Sequence, residues 1–352
     1  MGLHDAGLPN PDTIEISDEH VSDVAPAYRI ATLLERAYNL ETSLMNKHTQ
    51  QLGLSRAKFI VLLHLFRADN GLTMTEISQI KAVDKTTTTR LVDGLETLGL
   101  VKRVKDQGDR RSAIAFLSEK GVSFMSTNLP EYFRKQQWAF DGLTASEQEY
   151  LVKALLQLAA NLKVKYEWTS ASDSDDAGNA SKVSEFTREL PKTISIMLKK
   201  STASESFRTS AELSAFIARN HHSVTSMLNK HTQLSGLSHA KFSLLLHLFR
   251  SPNKGLTMTE LSQRLYVSKT NITKLVDGLE QEDFVERLKD KSDRRSAVVV
   301  LTKRGYRFIA EHLQAYQQKQ EWMFDFLDLR EQERLVMALD HLIEKLLEKA
   351  LA

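Results

Sequence analysis

The sequence lacks several features that define particular classes of protein. Its 352 residues include no cysteine, which excludes disulfide scaffolds, thiolate catalysis and cysteine-ligated zinc. The 6 prolines and 14 glycines are too few for a low-complexity or collagen-like chain. No apolar run approaches the roughly 20 residues of a membrane span, and the first residues lack the pattern of a secretory signal. We therefore expect a cytoplasmic protein with no membrane partner.

The motifs of the common enzyme classes are also missing. There is no glycine-rich phosphate loop, no GxSxG turn and no ordered pair of carboxylates. We therefore expect no enzymatic activity, no catalytic residue and no cofactor. The net charge is only +2, and this neither supports nor excludes a nucleic-acid partner, because such binding depends on local clusters of basic residues.

An internal duplication decides the organisation of the chain. The segment NKHTQQLGLSRAKFIVLLHLFR at 46–67 returns as NKHTQLSGLSHAKFSLLLHLFR at 229–250. The register slips by one residue in the next loop, after which more than half of positions 71–121 are identical at 255–305. Residue 46 thus corresponds to residue 229, and residue 71 to residue 255. Two long repeats indicate a fused pair of domains rather than a solenoid.

The composition between the repeats predicts where one ends and the next begins. Residues 169–189 are rich in Ser, Asp and Ala and have few apolar side chains, so they cannot bury enough apolar surface to order themselves. We interpret them as a flexible linker. The predicted domains are then 1–168, with an N-terminal arm, and 190–352.

Local patterns predict the first elements of each repeat. Apolar residues at helical spacing indicate a long helix from about Ala25 to Lys47. Ser55, or Ser238 in the second repeat, is placed to cap a buried helix. Thr73 and Glu76 have the spacing of a capping box, which predicts a short helix.

The second half of each repeat is predicted to hold one more helix, a hairpin and two long helices. Asp84, or Ser268 in the second repeat, is expected to cap the helix that follows the turn. Two β-prone runs, Leu100–Lys105 and Ser112–Leu117, flank a polar loop, which is a hairpin signal. Long helices are then predicted over Glu119–Trp138 and from Thr144 to about Tyr166.

The predicted order of elements is that of a winged helix-turn-helix. LTMTEIS or LTMTELS, then a helix ending in LVDGLE, then a basic strand and DRRS, occur in this order in both repeats. This set resembles the MarR family of bacterial transcription regulators over nearly the whole chain. The resemblance implies a mainly α (α+β) fold with two winged helix-turn-helix units and long flanking dimerisation helices, in the bacterial cytoplasm or nucleoid.

The family resemblance implies a homodimer with two winged heads, and here two subunits are fused. We therefore expect a monomeric chain that acts as a pseudo-dimer. The long helices could also expose a second association surface, so a higher oligomer stays open.

The helix after the turn is the candidate for reading bases in the major groove. In the first repeat Thr88, Leu91, Val92 and Leu95 share one face and are expected to pack inward. Four successive threonines are poor helix formers, and accepting them at an exposed helix start favours contact over an ordinary solvated face. The candidate base-reading residues are Lys85, Thr86, Thr87, Thr89 and Arg90, and in the second repeat Lys269, Thr270, Asn271, Thr273 and Lys274.

The hairpins carry the local positive charge that the net charge conceals. Basic residues on a wing bind phosphates without regard to sequence, and an arginine at the tip can enter a narrow minor groove. The alternative, that Asp109 and Asp293 pair with an adjacent arginine, stays open. The candidate wing contacts are Lys105, Arg110 and Arg111, and in the second repeat Lys289, Arg294 and Arg295, while Lys102, Arg103 and Arg287 add to the basic strands.

Four histidines recur at equivalent positions, namely His48 and His64 in the first repeat and His231 and His247 in the second. Two per repeat are too few for a metal site, which needs three or four ligands, so no metal is expected. The family resemblance implies a pocket for a small aromatic or phenolic acid, and a histidine there could hydrogen-bond the carboxylate or phenol. Partly buried structural histidines are the alternative.

Together these patterns predict a sequence-specific regulator that binds double-stranded DNA at an imperfect palindromic operator. We expect a repressor that a small ligand releases. The alternative is a ligand- or protein-binding module in which one or both heads no longer read DNA. The intact basic hairpins in both repeats argue against that alternative.

Overall fold

A computed structural model describes residues 25–68, 70–81, 85–105, 113–171, 205–251, 255–265, 267–289 and 297–351. The predicted N-terminal arm lies outside the described residues. Of the predicted linker, residues 169–171 end a helix, and the remainder lies outside them as well.

Both repeats fold into the same order of elements. The first repeat contains α1 (Pro26–Gln51), α2 (Arg56–Arg67), β1 (Leu72–Thr73), α3 (Met74–Lys81), α4 (Lys85–Thr97), β2 (Val101–Lys105), β3 (Ala113–Leu117), α5 (Glu119–Phe140) and α6 (Ala145–Ala171). The second contains α7 (Glu205–Gln233), α8 (His239–Phe249), β4 (Leu256–Thr257), α9 (Met258–Leu265), α10 (Lys269–Gln281), β5 (Val285–Lys289), β6 (Ala297–Leu301), α11 (Lys303–Phe324) and α12 (Leu329–Leu351). The mainly helical winged fold expected from the sequence is confirmed.

Side-chain caps begin several of these helices, as the sequence predicts. The Ser55 hydroxyl accepts a hydrogen bond from the backbone N–H of Lys58 at the start of α2. At α3 the Glu76 carboxylate accepts from the backbone N–H of Thr73 at 2.7 Å, and the Thr73 hydroxyl accepts from the N–H of Glu76 at 3.2 Å. Each cap satisfies N–H groups that a helix cannot pair internally, so it places the helix start at a definite residue.

The helix after the turn is capped in the second repeat by Ser268, whose hydroxyl accepts from the backbone N–H of Asn271 at 3.3 Å. This confirms the predicted cap. Its predicted equivalent in the first repeat, Asp84, lies outside the described residues.

Each repeat has a three-stranded antiparallel sheet rather than the two-stranded hairpin predicted from the sequence. The strand order is β1-β3-β2 in the first repeat and β4-β6-β5 in the second. In β1, Leu72 pairs with Ala115 and Thr73 with Ile114. A strand of two residues is too short to show an alternating pattern of apolar and polar residues, and Thr73 also belongs to the capping box. The sequence therefore indicates the start of the helix but not the strand.

We call the winged helix-turn-helix of each repeat its head, and the first head has a continuous apolar core. Phe59 and Leu62 on α2 are fully buried, together with Val92 and Leu95 on α4 and Met125 on α5. Burying a side chain of this size stabilises the fold by about 1.5–3 kcal/mol. The position of α4 in the head therefore follows from its apolar face, and residues of the opposite face such as Thr86, Thr89 and Arg90 are exposed.

The chain forms two compact units, and neither corresponds to a single repeat. One unit combines the chain up to Thr32 with Thr225–Glu333, and the other combines Leu33–Val224 with Arg334–Ala352. We call the second the larger unit. Each unit is built from parts of both repeats, while the domain limits of 1–168 and 190–352 stay a prediction about the duplication.

Buried hydrogen bonds join the two repeats inside the larger unit. The Ser214 hydroxyl on α7 donates to the Glu41 carboxylate on α1 at 2.9 Å. The Asn220 side-chain amide, also on α7, donates to the carbonyl oxygen of Leu155 on α6 at 2.8 Å. Because buried polar groups are costly without partners, these bonds favour one arrangement of α7 against the first repeat. Within the described residues no helix has the length and apolar character needed to cross a bilayer.

Candidate nucleic-acid interface

The buried face of α4 determines which of its residues point outward. Thr88, Val92 and Leu95 are fully buried against the head, as predicted. On the other side Thr86, Thr89 and Arg90 are exposed. Thr87 is half-buried, and Lys85 begins the helix with a side chain that lies outside the description.

The equivalent helix of the second repeat, α10, presents a similar face. Ile272, Val276 and Leu279 are fully buried. The five candidate base-reading residues of this helix are all exposed, namely Lys269, Thr270, Asn271, Thr273 and Lys274. The Thr273 hydroxyl donates to the carbonyl oxygen of Lys269 at 2.9 Å, so its oxygen and methyl group remain for an outside partner.

The hairpins are described only at their bases. Lys105 and Lys289 end β2 and β5, but nothing is described of their side chains. Arg110, Arg111, Arg294 and Arg295 lie outside the described residues, as do Asp109 and Asp293. The wing contacts therefore stay predictions.

Two basic residues of the hairpin strands, one in each repeat, form ion pairs with carboxylates of their own heads. In β2, Arg103 forms ion pairs with Asp93 at 2.7 Å and Glu96 at 2.5 Å, both on α4. The hydrogen bond that Arg103 donates to Glu96 is the largest cause of the raised pKa of Arg103. We call this set, with its equivalent in the second repeat, the arginine brace.

The second repeat has the same brace. Arg287 on β5 donates to Glu280 and pairs with Asp277, both at 2.5 Å and both on α10. The expectation that Arg103 and Arg287 supply net positive charge to the hairpins is thus corrected, because carboxylates of the adjacent helix neutralise both. Two acidic residues three apart on a helix, followed by an arginine in the next strand, recur in both repeats and could have signalled the brace.

The four candidate ligand histidines occupy two kinds of position. His48, near the end of α1, is buried; its Nε2 has no hydrogen-bond partner among the described residues, and its ring lies 6.4 Å from that of Tyr132. Burial lowers the pKa of His48 and of its counterpart His231, so both favour the neutral form. His64 on α2 and His247 on α8 are half-buried.

An apolar cavity of about 270 Å³ lies in the first head. Its lining includes Leu65, Phe66 and Phe116, with Ala68, Leu117 and Val122. Neither His48 nor His64 belongs to this described lining. Across the described residues no group of three or more histidine, aspartate or glutamate side chains is placed to hold a metal ion.

A buried ion pair near His48 was not predicted from the sequence. Arg56 at the start of α2 donates to Glu41 on α1 at 2.7 Å and also bonds Thr42. Burial is the largest single effect on Arg56 and lowers its pKa, but Glu41 together with Tyr132 and Tyr38 outweighs burial, so the pKa of Arg56 is raised. The counterparts in the second repeat are His239 and Val224, so this pair exists in one repeat only.

Among the described residues, His239 has no ion pair at the corresponding position. It is 6% exposed, and burial lowers its pKa to about 4. The Tyr316 hydroxyl lies 3.5 Å from its Nδ1. The first repeat thus holds a permanent charge where the second holds a neutral ring.

Comparison with known proteins gives a consistent result for both repeats. Family models described as "MarR family" match residues 52–112 and 237–297. The HTH-type transcriptional regulator PrsX of Escherichia coli is 33% identical over 161 residues, which cover 44% of this chain and 96% of that protein. The HTH-type transcriptional repressor YetL of Bacillus subtilis is 33% identical over 111 residues, covering 32% of this chain and 66% of YetL.

Similar solved structures come from the same family. AbsC, a MarR family transcriptional regulator from Streptomyces coelicolor, is 26% identical with a TM-score of 0.32, over 33% of this chain and 78% of AbsC. A mutant MarR from E. coli complexed with operator DNA is 26% identical with a TM-score of 0.30, over 36% of this chain and 85% of that chain.

Proposed function

Because the chain belongs to the MarR family, we propose that it is a transcription regulator that binds double-stranded DNA in a sequence-specific manner and acts as a repressor. The observation that carries this proposal is the pair of outward faces on α4 and α10. Each lies opposite a fully buried apolar face and presents polar and basic side chains. A helix with such a face fits the major groove, where hydrogen-bond donors and acceptors distinguish all four base pairs.

The exposed residues suit different parts of this task. Asn271 can donate to and accept from adenine at once, and Arg90 can donate two hydrogen bonds to the N7 and O6 acceptors of guanine. Thr86, Thr89 and Thr273 offer hydroxyl groups and methyl groups, the latter suited to thymine. The basic residues of the hairpins supply phosphate contacts that do not depend on sequence.

We further propose that one chain occupies one operator as a pseudo-dimer. Each repeat supplies one head, and the bonds from Ser214 to Glu41 and from Asn220 to Leu155 support pairing of the repeats within a chain. The two half-sites would then lie about one helical turn, roughly 34–36 Å, apart. Fusion delivers the second head at an effective concentration on the order of millimolar.

The proposed signal is a small aromatic or phenolic acid. His48 supports this, since a buried imidazole nitrogen with no described partner is available to a ligand hydroxyl or carboxyl group. His231 is its counterpart, and His64 and His247 remain candidates on the neighbouring helices. An effector that prefers a conformation with wrongly spaced heads weakens DNA binding by its differential affinity for that conformation.

A salt titration on a generic duplex, followed by selection of sites from random duplex, tests DNA binding. Binding that weakens steeply as salt rises, together with a recovered site of two half-sites, is the expected result. Absence of binding at low salt would contradict the proposal and favour a ligand- or protein-binding module.

Light scattering and a stoichiometric gel titration test the pseudo-dimer. We expect one chain per minimal operator down to low protein concentration. Two chains per minimal operator would contradict single-chain pairing while leaving DNA binding intact.

A further inference from the structure

We propose that the surface joining the two repeats in the larger unit is specific for unlike repeats: it pairs one first repeat with one second repeat and disfavours pairs of like repeats. The partner that this surface fits is thus the other repeat of the chain. The proposal concerns self-recognition and holds whether or not the heads bind DNA.

Equivalent positions of the two repeats meet at this surface. Tyr38 on α1 stacks on His221 on α7, with ring centroids 4.1 Å apart and planes 13° apart. By the alignment of residue 46 with residue 229, His221 is the counterpart of Tyr38. Contact between counterparts is what a two-fold axis produces, because residues near the axis meet their own equivalents.

A second pair of counterparts meets on the C-terminal helices. The guanidinium of Arg334 on α12 lies 4.2 Å from the centroid of the Tyr150 ring on α6. By the alignment of residue 71 with residue 255, Arg334 is the counterpart of Tyr150. In a homodimer both pairs would consist of identical residues, whereas here each consists of two different and complementary ones.

Pairing two second repeats would lose this complementarity. Arg334 would face a second Arg334, which replaces a cation–π contact by repulsion between like charges. At Gly142 an added Cβ would lie 3.1 Å from the Lys345 side chain, so this approach is already close. The counterpart of Gly142 is Phe326, and its ring would have to fit where a methyl group is already tight.

Pairing two first repeats would lose the buried hydrogen bonds. The Glu41 carboxylate, 1% exposed, accepts from Ser214, but the counterpart of Ser214 is Ala31. The counterpart of Asn220, which donates to Leu155, is Ala37. Like pairs of either kind therefore lose contacts that only the unlike pair makes.

Several small differences thus favour the same outcome. Specificity is a difference between affinities, and penalties in the wrong pairs contribute as much as attraction in the right one. Since the two repeats carry different residues on their DNA-facing helices, exclusive unlike pairing keeps those two heads together as a fixed combination.

The test uses the full chain with a protease site inserted in the predicted linker at 169–189. The folded protein is cleaved, and an isotope-labelled sample is mixed with an unlabelled one. Exchange of halves is complete when first–second pairs that contain one labelled and one unlabelled half reach a constant abundance. Native mass spectrometry of this mixture then counts each kind of pair. We expect only pairs of one first and one second half. First–first, first–second and second–second pairs in the statistical ratio of 1:2:1 would overturn the proposal.

A variant with His221→Tyr and Arg334→Tyr gives the second repeat the same residues that the first repeat has at these two contacts, Tyr38 and Tyr150. We expect pairs of two second halves to become at least about tenfold more abundant, which corresponds to about 1.4 kcal/mol. The swap Tyr150→Arg with Arg334→Tyr restores the contact between an arginine and a tyrosine ring and should keep unlike pairing. Arg330→Tyr, on the exposed face of the same helix, is the neutral control. An unchanged distribution in the first variant would show that these contacts do not carry the specificity.

Discussion

Arg103 reaches from β2 to Glu96 on α4 and donates two hydrogen bonds to its Oε2 oxygen, at 3.0 and 2.5 Å. The brace recurs between Arg287 and Glu280 in the second repeat. Two hydrogen bonds from one guanidinium to the same carboxylate oxygen restrain both the direction and the distance of the pair. The brace therefore couples the orientation of the helix to that of the wing.

The first prediction separates bracing from phosphate binding. Arg103→Met should weaken DNA binding by up to about fivefold, equivalent to the roughly 1 kcal/mol of a partly exposed ion pair. The slope of log K against log salt should stay the same, because the charge of Arg103 is already matched by carboxylates. Lys102→Met, on the exposed neighbouring residue, should instead reduce that slope by about 1. A reduced slope in Arg103→Met would assign Arg103 to the phosphates.

The second prediction concerns asymmetry of the operator. The outward faces differ where Thr87, half-buried, has the exposed Asn271 as its counterpart, so each head should prefer its own half-site by about 1–3 kcal/mol at the differing positions. Site selection with the natural protein should return an imperfect palindrome, and Asn271→Thr should make the selected site more symmetric. Equally perfect palindromes from both proteins would mean that these positions do not read bases.

The third prediction concerns the buried pair of Glu41 and Arg56. Glu41→Gln leaves a buried arginine without its counter-charge and should lower the free energy of unfolding by about 3–5 kcal/mol. The double variant Glu41→Val with Arg56→His installs the residues of the second repeat, Val224 and His239, and should be more stable than Glu41→Gln. Urea unfolding of both variants measures this. A double variant less stable than the single would show that the surrounding packing, not the ion pair, distinguishes the repeats.

The fourth prediction concerns pH. The pKa of His239 is lowered to about 4 in the folded chain, against about 6.5 when unfolded. Between these values the unfolded state binds the additional proton, so the stability contributed by His239 is present above pH 6.5 and is lost as the pH falls toward 4. The loss amounts to about 3 kcal/mol.

The measurement compares unfolding of the natural protein with that of His239→Gln from pH 7 to pH 4. Their difference in free energy of unfolding should change by up to about 3 kcal/mol over this range. A constant difference would mean that His239 accepts a proton in the folded state.

The parts of the fold that follow local rules could be predicted from the sequence. The caps at Ser55, Thr73 and Ser268 depend on a few neighbouring residues, and the buried face of α4 depends on helical spacing. The pair of Glu41 and Arg56 could not be predicted in this way, since its members lie on different helices and the second repeat has no equivalent pair. Contacts between repeats, such as Tyr38 with His221, require the three-dimensional arrangement.

The candidate site shows the same division. Exposure of Arg90, Asn271 and Lys274 follows from the face opposite the buried residues. The partners of Arg103 were missed because counting basic residues along a strand ignores the carboxylates of the helix beside it. The two acidic residues before each arginine occur in both repeats of the sequence, but only the structure shows that they form ion pairs with it.

The larger unit needs Arg334–Ala352 in addition to Leu33–Val224, and this has a consequence for biosynthesis. A ribosome that has just made Tyr150 must add 184 residues before Arg334 exists, which takes roughly 10–40 s at about 5–20 residues per second. Lys349, which pairs with Asp141, emerges later still. The first head thus emerges long before its partner helix, and the nascent chain carries an uncovered surface until Arg334–Ala352 has been made.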